Sequence, residues 1–337
     1  MIDTTDGIIQ MRPKLLQAVI AAKASDPKAK GSEFWRRVQT PCGSFKATFV
    51  VAANTMRTGP VSPMTLLKGH NLVGTNNATA LMVGLMPFVH QRFDVPFTKA
   101  DRQFYMQQGF ELERLDINGA FPLSSQAEVV ETLQHIRERL LIDGFAVTVH
   151  EELTGIETIY VGKQQDGAAD KFYNKYLEMI RKPIKGKPAY WRKLLQFAQN
   201  LLRYERVYRG AELRKMGKAN SNDWSLSMVR QELSDRLQQL GLSHLNLVAR
   251  LPASVLATLS PQNKAIYSAW ASGTMIQDHW TRQTFNRYRK VFLPHGLDIA
   301  WPHSRVNTAV TLANRIQPTK LKTGYPKQFA SLGAIYP

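Results

Sequence analysis

A chain of 337 residues is long enough for one large domain or two modest ones, and 44% hydrophobic with 9% aromatic content excludes disorder throughout. Its 44 Lys and Arg against 26 Asp and Glu leave a net charge of +18, an excess that points to a polyanionic partner. The single cysteine, Cys42, excludes an intramolecular disulfide and a multi-cysteine zinc site, and it suits a reducing compartment such as the cytoplasm.

Taken in chain order, the N-terminus MIDTTDGIIQMRPKLL carries Asp3 and Asp6 where an export signal would want positive charge. SDPKAKGS (25–32) reads as a polar loop, and SFKATFVVA (44–52) has the β-branched and aromatic character of a strand. The longest apolar stretch, Ala78 to Val89, is too short to span a bilayer and contains Pro87, so a soluble protein with no membrane partner is expected. ELERLDINGAF (111–121), FAVTVH (145–150) and ETIYVG (157–162) read as further strands. Between the first two of these, a capping box Ser125-Gln-Ala-Glu128 opens a helix whose Val129, Leu133, Ile136 and Leu140 share one face and which closes at Gly144. RKPIKGKP (181–188) is a basic Pro/Gly linker. AYWRKLLQFAQN is a helix, and LLRYERVYRG (201–210) is ambiguous; as a strand it would put Arg203, Glu205 and Val207 on one face and Leu202, Tyr204 and Arg206 on the other.

Beyond KANSNDW (218–224), which marks a domain boundary, the pattern is helical: SLSMVRQELSDRLQQLGL, then SPQNKAIYSAWASG with Ser260 as cap and Pro261 in the first turn, then TRQTFNRYRKVFLPHG. The predicted fold is α+β, an antiparallel sheet with helices packed on it followed by a smaller, mainly helical domain. The predicted division is 1–218 for catalysis and 219–337 for a basic tail that binds DNA or supports it.

Charge is uneven along the chain. Residues 101–162 carry 4 basic and 11 acidic side chains, while 163–218 carry 15 and 5. A basic surface with an acidic island suits a protein that neutralises phosphates and keeps carboxylates for a cation. The basic candidates for nucleic-acid contact are Lys171, Arg181, Lys182, Lys185, Lys187, Arg203, Arg206 and Arg209, with Arg287, Arg289 and Lys290 in the tail. Asp116 stands in an apolar strand, and its carboxylate is either paired with Arg114 or turned to a cleft. Glu205, between Arg203 and Arg206, is either salt-bridged or a second ligand. Two such carboxylates from different strands would suit Mg²⁺ or Mn²⁺.

The segments LLKGHNLVGT, ERLDINGAF, TIYVGK, KFYNKYLEM and LLQFAQNLLRYERVYRGAELRKMG resemble, in this order, the gene II replication initiators of filamentous phages. They also resemble plasmid rolling-circle initiators with R-[IL]-D, Y-x-G, Y-[ND]-K and R-[FY]-E segments. The resemblance spans roughly residues 44–337, and before that only Met1-Ile2-Asp3 matches. It implies a rolling-circle nickase. Tyr160 would be the nucleophile, giving a 5′-phosphotyrosine and a 3′-OH primer and later rejoining the ends, with Lys163 and Lys175 as catalytic cations. Asp116 and Glu205 would hold Mg²⁺ or Mn²⁺.

The wider superfamily supplies its metal with a His-hydrophobic-His pair, and no two histidines here stand two apart. His150, at the end of the strand before Tyr160, stands beside Glu151 and Glu152, and one of these three would complete the metal's shell. His70 and Asn71 belong either to the site or to a structural turn. The implied partners are double-stranded origin DNA, single-stranded DNA, a host helicase and polymerase, and a second copy of the chain, in the cytoplasm of a bacterial host. A non-catalytic origin-binding protein or repressor shares the charge and the helical tail, and a relaxase or transposase shares the chemistry.

Overall fold

The computed structural model describes residues 1–29, 31–152, 155–162, 167–181, 189–242 and 248–323, with backbone alone at 305, 306, 308 and 309. Nine strands form one sheet: β1 (Ile2–Gln10), β2 (Glu33–Thr40), β3 (Gly43–Val50), β4 (Thr55–Arg57), β5 (Glu111–Pro122), β6 (Val147–Glu152), β7 (Gly155–Val161), β8 (Ala168–Asn174) and β9 (Leu201–Arg209). Their order is β2-β3-β4-β1-β5-β9-β8-β7-β6, and every neighbouring pair is antiparallel.

The helices are α1 (Pro13–Ala24), α2 (Pro63–Lys68), α3 (Ala78–Val83), α4 (Met86–Arg92), α5 (Lys99–Gln108), α6 (Gln126–Ile142) and α7 (Lys175–Arg181). They continue with α8 (Trp191–Ala198), α9 (Gly210–Lys215), α10 (Leu226–Gln239), α11 (Ala253–Thr258), α12 (Pro261–Ala271), α13 (Arg282–Phe292) and α14 (Val306–Arg315). The α+β class and the helical tail are as expected. The sheet is larger than expected, because β1, β2, β4 and β8 carry polar residues at buried or edge positions and so lack the apolar alternation that betrays a strand.

The ambiguous segment 201–210 resolves as β9. Tyr204 and Tyr208 are buried on one side of it and Glu205 on the other, so both faces are covered and the period-2 signal is erased.

Below the sheet, Val129, Leu133, Ile136 and Leu140 of α6 meet Leu115 and Ile117 of β5, Ile159 of β7, Phe172 of β8 and Tyr204 of β9 in one core. α6 starts where Ser125 Oγ accepts the N–H of Glu128 at 3.1 Å. The reciprocal half of the expected capping box is displaced, because the Glu128 carboxylate takes the N–H of Ser124 at 2.6 Å instead. At its end Gly144 adopts φ +77°, and the N–H of Phe145 returns to the carbonyl of Leu140, the reversal that a residue with a side chain resists. A second core joins β1 to β4 with α1, α3, α4 and α5.

The expected boundary at 218/219 is not a boundary in packing. Trp224, Val229, Leu233 and Leu237, then Leu312 and Ile316, belong to the same core as the sheet. Within the described part of the tail, Leu251 to Ala300 build a core of their own. The mechanism is amphipathicity: α10 buries Val229, Leu233 and Leu237 at four-residue spacing, and the nearest apolar surface is the back of the sheet.

Candidate active site

Register decides which side chains meet. Asn118 of β5 lies opposite Glu205 of β9, Glu205 opposite Lys171 of β8, and Lys171 opposite Tyr160 of β7. Directly paired residues point to the same side of a sheet, so this row, with Arg114 and Asp116 two-residue steps along β5, faces away from α6. Here the sheet forms the floor of a cleft of about 380 Å³. Asp3, Arg114, Asp116, Lys171, Tyr173 and Glu205 line it from the sheet, and Ser62, His70, Asn71, Glu178 and Trp191 from the segments around it.

Asp116 is 1% exposed and takes a two-pronged bond from Arg114, Nε at 2.8 Å and Nη2 at 2.7 Å. The Arg114 alternative read from the sequence is therefore realised, and the carboxylate also lines the cleft. Burial pushes its pKa from 3.8 to about 7; Arg114 opposes the shift, and the nearby Glu205 and Asp3 add to it. Burial, helped by the two carboxylates, outweighs the one guanidinium that faces Asp116. Glu205 makes no ion pair with Arg206; it accepts the hydroxyl of Tyr173 at 3.1 Å. Burial, then Glu205, hold the Tyr173 phenol well above its ordinary range.

The cleft wall is a polar chain. Asp3 accepts from Ser62 Oγ and from Asn71 Nδ2, both at 2.7 Å. Asn71 Oδ1 in turn accepts Lys175 Nζ at 2.7 Å, and Lys175 also reaches Glu178 at 2.7 Å. Lys175 is fully buried, and burial lowers its pKa to about 8 against the pull of Glu178. It sits behind the wall and positions Asn71 and Glu178.

His70 follows Gly69, which ends α2 in the left-handed conformation at φ +74°. Its ring packs edge-on to Tyr190 with centroids 5.9 Å apart. Both ring nitrogens are buried without a hydrogen-bond partner. Burial, then Lys175, Lys68 and Arg203, lower its pKa to about 4, so the imidazole is neutral and offers a lone pair.

Other expected residues lie elsewhere. Tyr160 is half-buried on the cleft side but outside the lining, with Lys171 Nζ 5.6 Å from its ring centroid and 4.2 Å from that of Tyr173. At about 4.8 Å per strand, β7 runs roughly 10 Å from β9, so Lys171 and Tyr173 intervene. His150 is exposed on the edge strand β6, its Nε2 3.6 Å from Glu152. Three strand spacings, about 14 Å, separate its backbone from Glu205, so it does not share the two carboxylates.

Arg206 points to the back of the sheet, where Asp170 accepts its guanidinium at 2.9 Å and that of Arg236 at 2.8 Å. That pairing commits Arg206 to the interior. Arg203 is 1% exposed and 3.9 Å from Asp3. Arg181 is held by Glu157, and Arg209 is half-buried opposite Arg114. On α13, Arg287 and Lys290 are exposed, while Arg289 turns inward to Asp298 and Asp143. Lys163, Lys182, Lys185 and Lys187 lie outside the described residues.

Asp3, Ser62, Tyr173, Glu178 and Trp191 of the cleft escaped the sequence reading, and two of them carried a signal. Asp3 was signalled by the shared Met1-Ile2-Asp3 opening, and Tyr173 heads the Y-[ND]-K segment from which Lys175 alone was taken.

Among the described residues, no three of His, Cys, Asp and Glu are grouped closely enough to enclose an ion, and no helix is long and apolar enough to cross a membrane.

Residues 52–231 match the N-terminal family of phage replication-associated proteins of the gene II type. Across almost the whole chain, the sequence is similar to the replication-associated protein of the same type from Enterobacteria phage I2-2, 26% identical over 347 residues that cover 97% of this chain and 96% of that one. A solved rolling circle replication initiator protein from Geobacillus stearothermophilus superposes on 71% of this chain and 83% of its own at a TM-score of 0.33 and 9% identity, too loosely to carry weight.

Proposed function

The chain belongs to this family of phage replication-associated proteins, and from that premise we propose that it initiates rolling-circle replication by nicking one strand of origin DNA with a tyrosine nucleophile. The observation that carries this reading is the bond from the Tyr173 hydroxyl to Glu205 inside the cleft that also holds Asp116. On this reading Tyr173 makes the attack, supported by its bond to Glu205, and Tyr160, half-buried beside Lys171, is the alternative nucleophile.

The donor set fits a hard divalent cation. Asp116 and Glu205 offer oxygen, their mutual repulsion favours a positive charge between them, and neutral His70, whose buried ring nitrogens lack hydrogen-bond partners, lines the same cleft. Mg²⁺ or Mn²⁺ keeps several waters and needs only one or two carboxylates beside a phosphate, so the lack of a closed three-ligand group is no obstacle. Asp116 and Glu205 would hold it, with His70 beside them, and when bound it would polarise a phosphate oxygen.

The protein's own steps follow. Lys171, between the rings of Tyr160 and Tyr173, draws the scissile phosphate to the cleft. The Tyr173 oxygen forms a bond to phosphorus as its proton passes to Glu205. The bond from phosphorus to the 3′ oxygen breaks, that oxygen takes a proton from solvent, and the 5′ phosphate stays on the tyrosine. Reversal by a new 3′-OH rejoins the ends. Exposed Arg287 and Lys290 hold flanking phosphates. The nucleoprotein assembles with host helicase and polymerase in the bacterial cytoplasm, and a second copy of the chain would bring a second tyrosine.

Supercoiled DNA bearing the cognate origin, incubated with Mn²⁺ or Mg²⁺, tests the reading. Wild type should yield nicked circles and a covalent adduct, Tyr173→Phe should yield neither, and Tyr160→Phe should retain both. Tyr160 stays the second reading because it is half-exposed on the same side beside Lys171, and the reverse pattern of the two variants would establish it. A wild type that binds the origin and never nicks it would leave the non-catalytic origin-binding reading.

A further inference from the structure

Next to the cleft lies a second cavity of about 440 Å³, within the roughly 300–1,000 Å³ typical of small-ligand sites. Its polar lining consists almost wholly of donors and cations: Asn118, Arg203, Arg230, Lys322 and the chain's own amino terminus at Met1. No carboxylate lines it. Two of these groups are buried and short of acceptors. Arg203 is 1% exposed with Nε and Nη2 lacking hydrogen-bond partners, and Asn118, also 1% exposed, has the same deficit at Nδ2.

The other donors are partly committed. The Met1 ammonium gives a bond to the carbonyl of Asn118 at 2.6 Å, Arg203 Nη1 reaches the carbonyl of Leu72 at 3.4 Å, and Arg230 Nε reaches Thr323 at 3.0 Å. Arg230 and Lys322 are exposed and stand at the mouth. Buried guanidinium and amide donors left unmatched are destabilising, a deficit that an anionic acceptor removes. The remaining walls are apolar, from Leu72, Pro122, Phe197 and Leu201, and suit the face of a planar ring.

We propose that this cavity binds a nucleoside 5′-phosphate unit, with its phosphate on Arg203 and Asn118 and its base against the Phe197 and Leu201 wall. Arg203 is shared: its Nη2 lies 3.9 Å from Asp3 of the cleft, so the guanidinium is the partition between the two spaces. A nucleotide here would therefore neighbour the phosphate being cut. The nicking reading bears only on the source of the ligand, either an unpaired nucleotide of the bound strand or a free nucleotide. The chemistry recognised is the same for both.

The test is calorimetric titration of the full-length chain in EDTA with dTMP and with thymidine. dTMP should bind at least tenfold more tightly than thymidine. The double variant Arg230→Ala with Lys322→Ala changes only exposed side chains and should weaken dTMP at least fivefold with an unchanged melting temperature. Equal affinity for dTMP and thymidine, or a double variant that binds dTMP like wild type, overturns the proposal. In a competition arm, a thymidylate trinucleotide that displaces dTMP identifies the strand as the source, and one that binds alongside it identifies a free nucleotide. Tyr173→Phe should bind dTMP as wild type does, so failure of the nicking reading and failure of this one are separable.

Discussion

Two buried aspartates on the two sides of the molecule have opposite surroundings. Asp298, between α13 and α14, is 2% exposed and held by two guanidiniums: Arg289 at 2.7 Å on both oxygens, and Arg139 of α6. Those cations hold its carboxyl below the usual carboxylate range in spite of burial. Asp170, on the back of the sheet, is matched in the same way by Arg206 and Arg236. Asp116, equally buried, has one guanidinium and has Glu205 and Asp3 on the adjoining strands, and burial, with those carboxylates adding to it, raises its pKa to about 7. Where cations match carboxylates the charge ties elements together; where they fall short the site is poised for a cation from outside.

This contrast can be broken by experiment. The largest effect should come from Tyr173→Phe, with nicking down by more than about a thousandfold and the urea midpoint close to wild type. Asp298→Ala should do the reverse, because it leaves the buried Arg139 and Arg289 to share Asp143. A loss of about 3–5 kcal/mol in urea unfolding is expected, and a loss under about 1 kcal/mol would mean that the tail is not tied to α6 by this ion cluster. Asp116→Asn should abolish nicking while unfolding at the wild-type urea concentration or above it, since it removes a carboxylate that its surroundings disfavour. A marked loss of stability would make Asp116 a structural partner of Arg114.

The pH dependence should sharpen the contrast, with opposite signs for the two aspartates. Asp116 has its folded pKa raised from 3.8 to about 7, so the folded state holds a proton that the unfolded chain has released. Its contribution to stability therefore falls as pH rises from about 4 to about 7. Asp298 has its folded pKa depressed, and its contribution disappears as pH falls below the ordinary aspartate range. Urea midpoints measured across this range should lose the first trend in Asp116→Asn and keep the second. The smallest effect belongs to Arg287→Ala with Lys290→Ala on exposed α13. Stability should stay within about 0.5 kcal/mol, while the slope of log affinity against log salt should shrink by about one to two units if both meet phosphates.

Legibility followed chemistry that is local in sequence. α6 was readable from Ser125 to Gly144 because cap, apolar face and terminator are all local signals, and α12 was readable for the same reason at Ser260 and Pro261. β1 was not, because Asp3, Thr5 and Asp6 are buried polar residues whose partners, Ser62, Asn71, Met82 and Arg57, are distant in the chain. A strand that serves a site violates the apolar alternation by which strands are recognised.

The α+β class and the helical tail were legible in the sequence, since both are carried by residue type and short-range spacing, while Asp116 and Glu205 were singled out as candidates by the family-like order of segments. Only the tertiary structure decided which tyrosine meets those carboxylates, that Asp3 and His70 join them, and that Arg206 and Arg289 are turned inward. Those outcomes depend on which strands are neighbours and on cross-strand register, where a shift of one residue reverses the face of every side chain. Nothing local to TIYVGK or KFYNKYLEM says which of β7 and β8 lies beside β9.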